Sequence, residues 1–358
     1  MVQVEPVRAF FASSPAVTEV DWLVTSAVEV MACSVSYSTS ASYSSAIRKL
    51  RSFCEAYSTE HWRPVWWQPD PVLIVLFLVW LSQFMSVSTC KVYMYAIRDF
   101  CLRLGLDDPT DNHFVEMAWR GIKRSKRAKL DTRLTLELPM LEAMASYTLS
   151  AIKNRNVSKS TRHLWITVVT VAVWGFFGLF RVGELVASGS LATCRFLVNS
   201  FVQLRSVDEM NLIMVTLDGA KQDPFRRGCE VGLAEQSNQL ICPHAWMRRF
   251  ESSRDTFKLP SAGNYPYFRL ADNSPLNRST FVEVVRDLLQ KAGVVSGSRF
   301  NGISLRRGGA ARLFSLGASD TTIMRAGRWS SSCFRLYVGA RMAELVAEQK
   351  AMGGSGNL

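Results

Sequence analysis

Between Asn301 and Val338 the chain reads NGISLRRGGAARLFSLGASDTTIMRAGRWSSSCFRLYV, which gathers Arg306, Arg307, Arg325, Arg328 and Arg335 around Trp329 and Tyr337. A phenol held among guanidinium groups suits chemistry on a phosphate. Its free pKa is about 10, so only about 0.1% is phenolate at pH 7, and neighbouring cations must lower the barrier to attack. The transition state at phosphorus collects negative charge on its non-bridging oxygens. A fixed guanidinium meets that charge with paired hydrogen bonds that exist before the reaction starts. The indole N–H of Trp329 can donate to an oxygen while its ring packs against the segment that carries Tyr337. This chemistry requires no metal. The four histidines (His61, His113, His163, His244) are scattered and the eight cysteines form no C-x-x-C pair, so neither a zinc site nor a dense disulfide framework is expected.

These side chains need short, well-stopped elements to hold them. Ser304 is expected to cap a helix running to Leu316, with Gly317 as its stop. Asp320 is expected to cap a second ending near Gly327, and Ser330 or Ser331 a third that carries Tyr337 on its second turn. Phe334 and Val338, three residues before and one after Tyr337, give that last helix a small apolar stripe for docking. Upstream, the run from Leu164 to Phe180 holds no charge and opens into GLFRVGELVAS. An arginine emerging from so apolar a stretch needs a carboxylate or a phosphate, because an unpaired buried charge costs several kcal/mol. Arg181 therefore reads either as the salt-bridge partner of Glu184 or as a phosphate ligand. From Asn211 to Leu233, alternating apolar residues flank a turn containing Asp218-Gly219 and Pro224 to Gly228, which predicts a β-hairpin with Lys221 near its tip. After CPHAWMRRFE, a helix from Thr280 to Lys291 is expected, opened by a Thr280-x-x-Glu283 box and stopped by Gly293.

The first third, residues 1–120, reads as a bundle of four or five helices. Ser38 to Tyr57, Asp70 to Met85 and Ser88 to Leu104 have apolar residues at helical spacing, the last with Val92, Ile97, Phe100 and Leu104 inward and Lys91 and Arg98 outward. Residues 121–133 are expected to be a basic linker. With Arg120 included, the run contains Arg120, Lys123, Arg124, Lys126, Arg127, Lys129 and Arg133 against one acid, Asp131. Such a run is a solvated linker, a nuclear localisation signal, or a strap on a phosphate backbone that displaces counterions. Over the whole chain 42 Lys+Arg face 30 Asp+Glu, a net charge of +12 that favours a polyanionic partner, nucleic acid ahead of anionic membrane. Of the two apolar runs, Leu164 to Phe180 only touches the lower length limit for a span and Pro71 to Val87 is broken by Ser82 and Gln83, so both are read as buried helices. No membrane partner is expected, and the N-terminus lacks the pattern of a signal peptide.

SLRRGGA, then GRWSS, then a Tyr eight residues after the Trp resembles the second conserved box of the tyrosine recombinases, the phage-integrase family. The GRWSS form is most similar to recombinases of eukaryotic mobile elements, the DIRS-like and Crypton-like groups. The family's box begins His-x-x-Arg, and here Ile303 stands at the His position. The resemblance implies a mainly α fold with a small β-sheet or hairpin. A helical core-binding domain (1–120) would clamp DNA, a catalytic domain would cover 134–340, and a C-terminal tail helix with a flexible end would cover 341–358. It implies a site-specific recombinase or integrase that cuts and rejoins DNA through a 3′-phosphotyrosine, with Arg181, Lys221, Arg306, Trp329 and the nucleophile Tyr337 as catalytic set. Glu184 would be structural support and Lys221 the general acid for the leaving 5′ oxygen. The DNA-binding residues would be Arg120, Lys123, Arg124, Lys126, Arg127 and Lys129. No cofactor is implied. The partner would be double-stranded DNA, bound by a homo-tetramer on synapsed duplexes and by a monomer or dimer off them. The compartment would be the nucleus in a eukaryote and otherwise the cytoplasm or nucleoid. Isoleucine can neither bond a phosphate nor relay a proton. Three readings follow: a weaker enzyme, an enzyme with Asn301 or Ser304 as substitute donor, and a silent DNA-binding protein derived from the family.

Overall fold

Side-chain caps fix where most of the helices begin. In the computed structural model, which describes residues 21–32, 34–126, 133–187, 197–207, 209–218 and 228–336, α1 spans Asp21–Ala32. Ser36 opens α2 (Tyr37–Tyr57), Asp70 opens α3 (Pro71–Phe84), Ser86 opens α4 (Val87–Arg103) and Asn112 opens α5 (His113–Ser125). Each of these four side chains accepts a backbone N–H two or three residues on, satisfying a donor that the helix leaves open. Pro71 directly after Asp70 presets the first helical φ and lacks the N–H that would otherwise go unmet.

Contacts divide the chain into two compact units, Met1–Leu130 and Asp131–Leu358. The first is built from α1–α5 and has its own core, in which Leu50, Phe77, Leu78, Leu81 and Ile97 are fully buried and Phe53 packs against Trp62, Phe77 and Trp80. The buried stripe of α4 is Cys90, Tyr93, Ala96, Ile97 and Cys101. This corrects the expected one, for Val92 and Leu104 are exposed. A second correction concerns the basic run, whose first part is not linker. α5 continues to Ser125 and carries Arg120, Lys123 and Arg124 on its exposed surface, anchored by buried Val115 and Ile122.

The second unit is organised around α7 (Lys159–Phe177), which is buried on all sides from Ile166 to Phe176. Helices α6 (Leu138–Ala151), α9 (Pro243–Thr256), α10 (Arg278–Lys291) and α11 (Ser304–Ser315) pack on it. α7 ends three residues earlier than the apolar run predicted. α8 is a single turn, Val182–Leu185, and α12 covers Asp320–Gly327. Asn277, not the Thr280 box, opens α10: its side chain accepts the Thr280 N–H at 2.9 Å.

Beside the helices lies an antiparallel sheet in the order β1 (Val202–Val207), β2 (Met210–Leu217), β3 (Cys229–Ala234). β2 turns Ile213, Val215 and Leu217 inward, and Ile213 faces Leu233 across the β2–β3 pair. The expected hairpin is therefore present, and it gains β1 as a third strand. β1 carried little signal because nearly every one of its residues is exposed. No helix among the described residues is long and apolar enough to cross a membrane.

Candidate active site

Arg181 lies just past the C-terminal end of α7, and the path to it is unusual. Gly178 closes the helix, Leu179 takes a left-handed φ of 47°, and the N–H of Phe180 reaches back to the Gly175 carbonyl at 3.1 Å. This is the hydrogen-bond pattern that a glycine ordinarily closes. The turn reverses the chain so that Arg181 opens α8. The Arg181 backbone N–H donates to Glu184 Oε2 and its Nη1 donates to Oε1, both at 2.8 Å. The Arg181 side chain remains 31% exposed, within reach of a ligand, while Glu184 is at 13%.

The second arginine comes from α11. Ser304 is this helix's first residue rather than its cap, which corrects the expectation. Ile303 holds the cap position without a side-chain bond, and the Ser304 hydroxyl accepts the Asn301 N–H at 3.0 Å. Arg306 is buried at 3% exposure, donates from Nη1 to the Leu179 carbonyl at 3.0 Å and from Nη2 to the Gly327 carbonyl, and lies 4.4 Å over the Trp329 ring. α11 approaches this closely because of Gly308 and Gly309. A methyl group at Gly308 would run into the Leu136 carbonyl, and one at Gly309 into the Phe176 carbonyl.

Arg328 joins the two halves, and sequence reasoning had given it no specific role. It follows α12 in a left-handed turn (φ 54°), a second helix end where glycine would be usual. Its guanidinium donates to the Gly178 carbonyl at 3.1 Å, to the Leu179 carbonyl at 3.1 Å and to Glu184 Oε2 at 2.9 Å. A continuous chain of contacts thus runs Arg181, Glu184, Arg328, the Leu179 carbonyl, Arg306, Trp329. The sequence hint was a cation directly after a helix stop, where carbonyls lie open.

Trp329 is 8% exposed and shares a small apolar cluster with Leu179, Ala310, Ile323 and Phe334. Phe334 lies in a 3₁₀ turn, Ser332–Leu336, where a longer helix had been expected. Ser319, not Asp320, caps α12 through the Thr322 N–H, and Asp320 pairs with Arg335 instead. Tyr337 and Val338 lie outside the described residues, as do Lys221, Arg127, Lys129 and the tail from 341. Lys221 falls by sequence in the connection between the paired strand ends Leu217 and Cys229. Ile303 is half-buried, its N–H bound by Asn301 Oδ1 at 2.9 Å.

The DNA-binding candidates form a separate group on the first unit. Arg120 pairs with Glu116 at 2.5 Å, which holds that carboxyl below its usual pKa range through the hydrogen bond and the charge. Lys123 lies 5.7 Å over the Trp119 ring, and Lys126 Nζ donates to the Met85 carbonyl at 3.2 Å. His163, one of the scattered histidines, is a core residue: its Nε2 lies 2.9 Å from the Arg269 carbonyl and its Nδ1 2.9 Å from Ser253 Oγ. Burial pushes its pKa down, so it stays neutral. No group of three His, Cys, Asp or Glu among the described residues could hold a metal.

With this geometry in place, solved structures supply the comparison. A Tn1549 transposon integrase in complex with transposon right end DNA matches with a TM-score of 0.54 at 12% identity, covering 90% of this chain and 95% of the other. A lambda integrase dimer bound to a COC′ core site matches at 0.53 and 13% identity, with the same coverage. XerH recombinase in its pre-cleavage complex with difH matches at 0.53 and 14% identity, covering 88% and 79%. The fold is that of the tyrosine recombinases. No family model and no curated protein matches the chain, and at these identities the likeness establishes the fold alone.

Proposed function

We propose that this chain is a site-specific DNA recombinase or integrase that cuts and rejoins DNA through a 3′-phosphotyrosine on Tyr337. The observation that carries this reading is the chain of hydrogen bonds and packing from Arg181 through Glu184 and Arg328 to Arg306 and Trp329. On a recombinase fold, it holds two arginines at one place before any substrate arrives. The Tyr337 oxygen gives up its proton to solvent and attacks phosphorus, the bond to the 5′ oxygen breaks, and Lys221 supplies that oxygen's proton. Arg181 and Arg306 stabilise the negative charge of the transition state. The phosphotyrosine keeps the bond energy, so a 5′ hydroxyl from another strand reverses the step.

Ile303 leaves the family's histidine position without a polar group. Ser304 is fully buried whereas Asn301 is half-buried, so Asn301 is the better substitute donor. Arg120, Lys123, Arg124 and Lys126, together with Arg127 and Lys129, would lie along the duplex backbone. Likeness to DIRS-like and Crypton-like recombinases, assembly of four subunits on two duplexes and, in a eukaryotic host, nuclear localisation belong to the same proposal. GRWSS supports the first, the tail after Tyr337 the second and the basic run the third.

The test is covalent trapping on nicked duplexes taken from DNA bordering the gene, in the presence of a chelator. Wild-type protein should become linked to a 3′ phosphate. Tyr337→Phe should lose the adduct completely yet keep DNA affinity, and Arg181→Ala should slow its formation about 100-fold or more. Tight binding without adduct on every nicked substrate would instead establish a silent DNA-binding protein. Replacing Arg120, Lys123 and Arg124 by alanine should lower the salt slope of binding by about 0.9 for each phosphate that is no longer neutralised. An unchanged slope would remove this face of α5 from the interface.

A further inference from the structure

At the opposite end of α7 from Arg181, a cleft of about 550 Å³ opens between the first turns of that helix and the second half of α9. Four cations line it: Lys159 and Arg162 from α7, Arg248 and Arg249 from α9. Arg248 pairs with Glu235 at 3.5 Å. Lys159, Arg162 and Arg249 have no ion pair among the described residues. Arg162 Nε and Arg249 Nη1 are both buried and have no hydrogen-bond partner. An anion in the cleft would give the Arg162 and Arg249 guanidinium groups that line it the counter-charge that no described carboxylate provides. Burial, followed by the neighbouring charge of Arg248, pushes Arg249 below the ordinary arginine range, a crowding that an anion would relieve.

The rest of the lining separates this cleft from a plain basic face. Ile152, Ile166 and Phe257 give it an apolar wall, and Ser252, Ser253 and Thr256 complete the lining, with the Ser253 hydroxyl held by His163 and that of Thr256 by the Ser252 carbonyl. Its volume falls within the range of about 300–1,000 Å³ typical of small-molecule sites. α7 rises about 1.5 Å per residue, so Arg162 and Phe177 are roughly 22 Å apart, and Arg181 lies beyond Phe177. A phosphate bound at Arg181 cannot reach this cleft.

We propose that the cleft is a second anion site, separate from the phosphodiester site, that binds an organic polyphosphate. The phosphates would sit on Arg162, Arg249, Arg248 and Lys159, and the flat or apolar part of the ligand on Ile152, Ile166 and Phe257. A nucleoside triphosphate has this chemistry, with a ring for the apolar wall and three phosphates for the cations.

Calorimetric titration of the full chain with ATP and, separately, with inorganic tripolyphosphate tests the assignment. One ATP should bind per chain, more tightly than tripolyphosphate. Arg162→Gln combined with Arg249→Gln should weaken ATP at least about tenfold, whereas Arg181→Ala should leave it unchanged. Phe257→Ala should narrow the gap between the two ligands. If the Arg162 and Arg249 double variant does not fold, the more exposed pair Lys159→Gln and Arg248→Gln gives the same reading, with an expected loss of about threefold or more. The proposal is overturned by any of three results: no saturable ATP binding at millimolar concentration, ATP binding lost with Arg181→Ala, or equal affinity for ATP and tripolyphosphate. It is likewise overturned if the cleft variants weaken duplex DNA binding while ATP does not bind at all.

Discussion

In the first turns of α11 two glycines stand where helix geometry asks for none. At Leu179 and Arg328, by contrast, the left-handed turns that favour glycine carry a leucine and an arginine. Gly317, which ends α11 at φ 78° with open space where a side chain would go, uses glycine in the ordinary way. The difference lies in what each position must do with its side chain. Gly308 and Gly309 must have none, or α11 could not bring Arg306 to the Leu179 carbonyl. Leu179 must have one, because it is buried in the cluster beneath Trp329. Arg328 must have one because its guanidinium spans two carbonyls and Glu184. A left-handed non-glycine residue costs about 1–2 kcal/mol, and here the side-chain contacts offset it.

The largest effect is expected from forcing a side chain into the helix. Gly308→Ala gains up to about 1 kcal/mol in helix propensity but drives a methyl group into a backbone carbonyl that cannot rotate away. A net loss of about 2 kcal/mol or more should appear as a lower urea midpoint. A midpoint equal to wild type would mean that α11 has slack against Leu136 and that the glycine is incidental.

Arg328→Ala comes next. It leaves Glu184, 13% exposed, with Arg181 as its remaining ion-pair partner and strips donors from the Gly178 and Leu179 carbonyls. Hydrogen bonds to charged groups contribute about 1.5–3 kcal/mol, so a loss of about 2–3 kcal/mol is expected. Arg328→Lys should rescue little, since one ammonium cannot span three acceptors in a fixed fork. Full rescue by lysine in chemical denaturation would show that charge alone matters and that the bridging geometry does not.

Much of this arrangement could be read from the sequence, and the unread part has a common cause. The order of Arg181, Glu184, Arg306 and Trp329 along the chain, the apolar helix ahead of Arg181 and the strands flanking Lys221 are local signals, carried by spacing and by runs. The left-handed φ at Leu179 is not local, because Gly178 beside it looks like the natural place for that turn. Only burial against Ala310, Ile323 and Phe334, distant in sequence, selects Leu179. Arg328 was hidden for the same reason: Glu184 and the Leu179 carbonyl lie well over a hundred residues before it. Helix starts were misplaced by a residue or more at Ser304, Asp320 and Thr280, where a cap, a first-turn residue and a buried hydroxyl have the same chemistry.

The smallest and sharpest effect compares two replacements at one position. Leu179→Ala and Leu179→Gly both delete the buried side chain, and each should cost within the usual range of about 2–5 kcal/mol for such a truncation. They differ in the backbone. Glycine relieves the left-handed strain, about 1–2 kcal/mol, and gives back about 0.4–1 kcal/mol through a looser unfolded chain. The Leu179→Gly protein should therefore be the more stable of the two by about 0.5–1 kcal/mol, the reverse of their order inside a helix. Gly317→Ala tests the same preference for glycine over alanine, since no atom lies within 4 Å of the added methyl and only the dihedral can matter. Equal stability of the two Leu179 variants, alongside a measurable loss for Gly317→Ala, would mean that the Leu179 turn relaxes once its side chain is gone. The left-handed turn would then be imposed by the leucine's burial. The predicted order, seen at both positions, would instead place the strain in the backbone that carries Arg181.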